Sequence, residues 1–435
     1  MKAVSGFLSR TPFVRNVAVL VTGTAAAQAL TMLAYPILMR LFDPADFGLF
    51  ALFGAIVMTV AVVASLRYEL AIVLARNERE AVNVLALALG IVAVISVLSV
   101  VVMMAGGDAL MRLLGTEHLD ALLAWLPVSI FCASAYTVLS YWATRQKLFK
   151  RLSISNVCRS FGVAVAQIGL GLARTGAGGL VVGQILGQIV AVLALSSQII
   201  RRDWRRFRTM LSWREMRRLA RVHRDFPLYN APRALLNSTT ITVPSILLAT
   251  LFGADIAGLY WFAYRLLEMP MTLLGDATRR VFYQRAAELN REGHGLTDIF
   301  VRTSAGLGML AAGPTVLLML AAPWLFEIAF GPAWRESGVY MQWLVAWWFF
   351  RFVNLPSIMM IPLLGLPRAF LILEAVILVP RLLVIPLAAQ FADAYTAIIG
   401  YSIVGLCFHM TSTFIVWRCV RRNDARLRDA SPMPA

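Results

Sequence analysis

Four arginines stand inside apolar runs of this 435-residue chain: Arg233, Arg265, Arg351 and Arg381. A guanidinium stays charged at any physiological pH and offers five N–H donors in a flat fork that fits a phosphate or carboxylate bidentately. At mid-bilayer such a group costs at least about 2.5 kcal/mol on the most lenient scale, so it must face a cavity or a partner. Local alternatives differ from one arginine to the next. Arg233 lies near the inner end of its run, where snorkelling to headgroups would account for it. Arg265 has Glu268 three residues on, the spacing of an intrahelical ion pair. Arg381 follows Pro380 at an expected kink, with Glu374 two turns before it. Arg351, in "AWWFFRFVN", has no carboxylate within four positions and is expected to be unpaired, which points to an anion such as a diphosphate. Trp347, Trp348 and Tyr264, with Trp343, Tyr260 and Trp261 nearby, could stack on sugar faces or, equally, on lipid and other helices.

Three carboxylates are candidates for an ion- or proton-coupling site: Glu69, Glu268 and Asp276. Glu69 follows Arg67 in an expected cytoplasmic turn, so a solvated ion pair is its alternative role. Other chemistries fail on spacing. Cys132, Cys158, Cys407 and Cys419, and His118, His223, His294 and His409, form no C-x-x-C or H-x-x-x-H pattern, so neither a metal nor a cofactor is expected. "GLGMLAAG" at 306–313 lies inside an apolar run and lacks the lysine of a phosphate loop, which leaves close helix packing. The longest expected outer loop, 106–119, is too short to house the polar catalytic groups of a glycan-polymerising enzyme. No catalytic residue and no enzyme are expected.

The elements that must carry these groups follow from composition. With 60% hydrophobic residues, 14% charged and a mean hydropathy of +0.74, the chain exposes more apolar surface than one aqueous core could hide. Runs long enough to cross a hydrocarbon layer of about 30 Å recur throughout. They fall near 16–41, 48–66, 82–105, 120–144, 158–173, 178–200, 229–253, 256–278, 301–330, 338–364, 370–391 and 395–417, giving an all-α membrane protein of twelve expected helices. The first run is full length, which predicts a retained helix and not a cleaved signal. With the N-terminus inside, 32 of the 40 lysines and arginines fall on cytoplasmic segments, so both termini are expected in the cytoplasm. The formal charge of +17 then needs no nucleic-acid partner, since an anionic inner leaflet attracts such segments.

Two stretches 210 residues apart are alike: "RLFDPADFGLF" from Arg40 and "TLFGADIAGLY" from Thr250. Asp43, Pro44 and Asp46 suit a helix start, and Asp255 can do similar work in the second copy. Helix capping alone could produce the likeness. Their equivalent places in successive sets of six helices favour an internal repeat about an axis along the membrane normal. The expected organisation is an N-terminal lobe at 1–200, a basic linker at 201–228, a C-terminal lobe at 229–417 and a cytoplasmic tail at 418–435. In the linker, Ser212 and Glu215 have capping-box spacing, and Trp213, Met216, Leu219 and Val222 make one apolar face, predicting a short helix on the inner membrane surface.

The "LxxPADFGLF"-type turn, "RYELAIVLARNEREA" at 67–81 and "RQKLFKRLSISNVCRSFGVAVAQIGLGL" at 145–172 resemble the oligosaccharide flippases, the polysaccharide-export branch of the multidrug/oligosaccharidyl-lipid/polysaccharide superfamily. The likeness covers most of the chain and is clearest over 12–200. It implies a two-lobed, V-shaped alternating-access fold in the bacterial inner membrane. The implied cargo is an undecaprenyl-diphosphate-linked oligosaccharide, an O-antigen or exopolysaccharide repeat unit, carried to the outer leaflet by a monomeric transport unit. Membrane lipids and other polysaccharide-assembly proteins are the remaining expected partners. A cation-coupled exporter of small cationic drugs stays open as the alternative, although helix one, from Asn16 to Leu41, holds no Asp or Glu.

Overall fold

The computed structural model describes the backbone of residues 12–114 and 120–430, and their side chains apart from 12–18, 107–114, 120–121, 198–206, 240, 276–277, 280, 367–369, 371 and 428–430. Among the described residues there are sixteen α-helices and no strand. They run α1 (Pro12–Leu41), α2 (Pro44–Ala61), α3 (Glu69–Leu74), α4 (Glu78–Leu114), α5 (Asp120–Leu123), α6 (Leu126–Arg145), α7 (Phe149–Leu172) and α8 (Ala177–Met210). Then come α9 (Trp213–Val222), α10 (Ala231–Phe252), α11 (Ala254–Arg291), α12 (Thr297–Phe330), α13 (Arg335–Val353), α14 (Leu355–Leu363), α15 (Pro367–Phe391) and α16 (Ala394–Ala430). Helix is the outcome a bilayer imposes, because each turn satisfies its own backbone groups.

Each of the twelve apolar runs is helical over most of its length, with 120–144 and 338–364 each divided between two helices, yet only nine described segments, or ten with the bent stretch from Phe226 to Phe252, are long and apolar enough to cross a membrane. The expected count of twelve spans is therefore not reached on length and hydropathy. The helices that fall short, α7 and α11, carry the chemistry-bearing residues Arg159, Arg265 and Glu268 along their length. Large apolar side chains face outward elsewhere, Leu320 at 78% and Phe391 at 83% exposure, as lipid-facing helices require.

The chain divides into two compact units, Met1–Gly258 and Leu259–Ala435. In the first, Tyr68, Ile72, Leu85, Val138, Trp142 and Leu219 form one apolar cluster joining α3, α4, α6 and α9. In the second, Phe282, Phe300, Met360, Val416 and Val420 join α11, α12, α14 and α16. The segment expected as a tail from 418 continues α16 as far as Ala430; it is held by the buried Val420 and by Asp424, whose carboxylate accepts from the amides of Leu296 (2.9 Å) and Thr297 (2.8 Å).

The basic linker forms its short helix, α9, and it docks on the first unit. Leu219 is buried, and the Tyr68 hydroxyl donates to the Ala220 carbonyl at 3.0 Å. The expected Ser212–Glu215 box does not form. The Ser212 amide donates instead to Asn83 Oδ1 at 2.9 Å, and Arg218, also 2.9 Å from Glu80, takes the Glu215 carboxylate at 2.6 Å. Trp213 and Val222 remain 65% and 59% exposed on the free face.

The repeated motif closes on itself. At the start of α2, Pro44 takes the first helical position and the Asp46 carboxylate accepts from the Asp43 amide at 3.3 Å. A Cβ placed on Gly48 would lie 1.7 Å from the Ala254 carbonyl oxygen, and one placed on Gly258 would lie 1.9 Å from that of Pro44. The two contacts exchange under the 210-residue offset, the reciprocity of a local two-fold between the two copies. Glycine is required at both positions because the opposing group is backbone and cannot step aside. Gly48→Ala and Gly258→Ala are each expected to destabilise by about 1–3 kcal/mol, the cost of overpacking, and to lower the melting temperature of the purified protein. Gly90→Ala, whose Cβ would meet nothing within 4 Å, should leave it unchanged.

Candidate functional site

The second unit assembles most of the sequence-predicted residues into one cluster. Tyr260, Tyr264 and Glu268 are spaced by four along α11 and so share a face. On α13, Trp347 and Arg351 have the same spacing, with Trp348 between them. Arg381 comes from α15 and Tyr401 from α16. The Arg351 guanidinium lies 4.2 Å from the Trp348 ring centroid, and Arg381 lies 4.7 Å from those of both Trp347 and Tyr401. Tyr264 completes the set, 5.4 Å edge-on to Trp348 and 6.4 Å from Trp347. A cation over an aromatic face gains about 0.5–2 kcal/mol, more as water is excluded. Gly405 on α16 makes room for this packing, since a Cβ there would sit 2.6 Å from Trp347 Nε1.

Arg351, expected to be unpaired, has a partner 83 residues away in sequence: its Nη1 stands 3.4 Å from Glu268 Oε2. The carboxylate that local spacing offered to Arg265 thus bridges to α13. Both members are about three-quarters buried, at 23% and 24% exposure, so the pair is partly desolvated. Arg381 rests on rings, and among the described residues no carboxylate pairs with it; Glu374 is exposed. Trp347 and Trp348 are buried at 1% and 4%, so protein and guanidinium occupy the faces expected to be open to sugar or lipid. Arg265 is exposed on α11, and Arg233 is exposed on α10 in the first unit. The side chain of Asp276 lies outside the described residues.

Donors outnumber acceptors in this cluster. Among the described residues, Nε1 of Trp347, Nε1 of Trp348 and Nε of Arg381 are buried without a hydrogen-bond partner. Two guanidinium groups face one carboxylate. Buried donors left unmatched each cost about 1–3 kcal/mol, so this is a place suited to an oxyanion.

Residues 37–338 match the family described as polysaccharide biosynthesis protein. The chain belongs to that family. No curated protein sequence matches it. Among solved structures, an inward-facing multidrug-resistance MATE transporter of the MOP superfamily is similar at a TM-score of 0.70, with 17% identity over 93% of this chain and 96% of its own. The lipid II flippase MurJ, in an inward closed conformation, gives 0.68 at 9% identity over 95% and 91%. A MOP superfamily transporter from Pyrococcus furiosus, described as having a binding pocket of reversed polarity, gives 0.59 at 17% over 95% and 95%. At these identities the likeness establishes the fold alone.

One polar chain in this family member was missed from sequence. Asn354, at the junction of α13 and α14, places its amide nitrogen 3.0 Å from His409 Nδ1 and accepts from the Thr413 hydroxyl at 2.8 Å. "FVNLP" carried the only signal, a proline two residues after an asparagine in an apolar run. Asn354→Leu should strand the His409 and Thr413 groups and lower stability by about 1–3 kcal/mol per unmatched buried group, read as a drop in melting temperature. Thr413→Val, which removes one bond and keeps the shape, should cost less.

Proposed function

We propose that this protein is an inner-membrane flippase moving an undecaprenyl-diphosphate-linked oligosaccharide, an O-antigen or exopolysaccharide repeat unit, from the cytoplasmic to the outer leaflet. The donor-rich cluster around Arg351 and Arg381 is the observation that carries the proposal. A cargo headgroup leaving water needs its diphosphate neutralised, and guanidinium forks do this bidentately where a lysine ammonium would not. The chain has only three lysines, Lys2, Lys147 and Lys150, none of them in the cluster. The family supports a glycan cargo, and the lipid II flippase supports, by likeness of fold, a lipid-linked one. Glu268 is then a placeholder that holds Arg351 until an anion takes its place. Two six-helix lobes with both termini in the cytoplasm would supply alternating access, and Glu268, Asp276 and Glu69 remain the proposed coupling residues.

A drug-exporting role fits less well. It calls for an acidic site, whereas α1 offers threonines that are bonded to their own helix: Thr24 donates to the Leu20 carbonyl at 2.9 Å and Thr31 to that of Ala27 at 3.0 Å.

Export of the surface glycan, assayed in a strain lacking its own copy of the protein, tests the proposal. Arg351→Ala should abolish export while the protein still inserts, and Arg351→Lys should restore it only in part because charge returns without the fork. The double change Arg351→Ala with Glu268→Gln separates anion binding from a structural ion pair. It should remain inactive if Arg351 binds cargo, and should recover if the single change failed only because it left the Glu268 carboxylate without its partner.

A further inference from the structure

The first unit contains a cavity of about 480 Å³, within the roughly 300–1,000 Å³ typical of small-molecule sites. One wall is the apolar face of α2. The other carries Arg67, Glu69, Ser129, Arg159, Gln184 and Gln188. Two guanidinium groups and one carboxylate again share the space. Glu69, expected to be solvated, is 1% exposed; its Oε1 stands 3.2 Å from Arg67 Nη1, and its other oxygen accepts from the Ser65 hydroxyl. Arg159 lies 4.9 Å from the Tyr136 ring, which the Tyr136–Asn156 hydrogen bond of 2.6 Å fixes, and among the described residues no carboxylate pairs with it. Among the described residues, Arg67 Nε, the side-chain Oε1 of Gln188 and the hydroxyl of Ser129, itself 3% exposed, are buried without partners.

The backbone here is strained. Between α2 and α3 the chain turns through Leu66 (φ +49°) and Arg67 (φ +63°), left-handed conformations costing about 1–2 kcal/mol each for residues other than glycine. Two tethers hold the turn in place. Arg145 donates to the carbonyls of Ile72 (3.0 Å) and Ala75 (2.8 Å) at the end of α3, and Tyr68 is tied to α9. Strain maintained at a cavity rim by outside contacts is the mark of a segment kept for its geometry. What the geometry achieves is to aim Arg67 and Glu69 at the same space.

We propose that this cavity is a second anion site, for a phosphate-bearing group, in which Glu69 occupies Arg67 as an internal stand-in until the ligand displaces it. Arg67 and Arg159 are the ligands, and the Ser129 hydroxyl supplies a further donor. Only the identity of the natural ligand, a cargo diphosphate, rests on the flippase proposal; the site itself does not.

Binding of inorganic pyrophosphate to the full chain in phosphatidylcholine nanodiscs, followed by calorimetry, tests this. The Arg351→Ala background removes the cluster of the second unit from the measurement. Glu69→Gln keeps the bond to Ser65 and removes the competing charge, and should tighten pyrophosphate binding by about tenfold or more, the worth of one charge-assisted hydrogen bond. Arg159→Ala removes a ligand that among the described residues makes no side-chain hydrogen bond and rests only on the Tyr136 ring, and should weaken binding by at least as much with at most a small fall in melting temperature. Replacing part of the phosphatidylcholine with phosphatidylglycerol assigns the source. Weaker pyrophosphate binding would mean that lipid headgroups compete for the site, and unchanged binding would leave the cargo phosphate as ligand. Absence of pyrophosphate binding, or equal affinity in the parent, Glu69→Gln and Arg159→Ala, would overturn the proposal and leave Glu69 a structural partner of Arg67. Loss of export in Arg351→Ala with the binding pattern intact would leave the site standing, and the reverse pattern would remove it without touching the flippase proposal.

Discussion

A bilayer offers no water to finish a hydrogen bond, and the arrangement of this chain answers that constraint throughout. Backbone groups are satisfied by helix, and where a helix ends inside the protein a distant side chain takes over. Arg145 serves the last carbonyls of α3, and Asp424 serves the first amides of α12, 128 residues away. Serine and threonine hydroxyls mostly turn back on their own helices, as Thr24, Thr31, Thr59 and Ser402 do. The same pressure makes any polar group left unmatched conspicuous.

Among the described residues, six such atoms lie in two places, three in each unit: Arg67, Ser129 and Gln188 in the first, Trp347, Trp348 and Arg381 in the second. In both, one arginine pairs with a glutamate, and a second guanidinium lies on an aromatic ring in place of a second carboxylate. A ring face stabilises the cation without neutralising it, so the positive potential survives burial and remains available to an anion. A second carboxylate would have closed each site electrostatically. Fixed indole and guanidinium donors also cost little reorganisation when an oxyanion arrives, which is the general advantage of preorganised sites.

Breaks in the helices place these groups. The left-handed turn at Leu66 and Arg67 interrupts what would be one span and brings Arg67 beside Glu69. The break at Asn354 separates α13 from α14 and is sealed by His409 and Thr413. Neither interruption has a glycine at its pivot. Tertiary contacts hold each in place, which fits a site and not a passive loop.

Composition and periodicity by themselves determined that the chain is helical and membrane-embedded, because twenty apolar residues in succession have few other stable fates. The likeness of "RLFDPADFGLF" and "TLFGADIAGLY" was legible, since helix starts depend on local residue types, whereas the close approaches at Gly48 and Gly258 came only from the structure. The aromatic and arginine types of the candidate site were legible too. Their partners were not. Whether Glu268 serves Arg265 three residues on or Arg351 on another helix depends on which faces meet, and helical spacing is silent about that. The apolar run across 48–66 hid a left-handed turn at its end, because Leu66 and Arg67 carry no glycine or asparagine to announce it. Burial of Glu69, the bridge through Asn354 and the crowding of Trp347 against Gly405 were likewise decided by tertiary packing, where residues far apart in the chain compete for the same few ångströms.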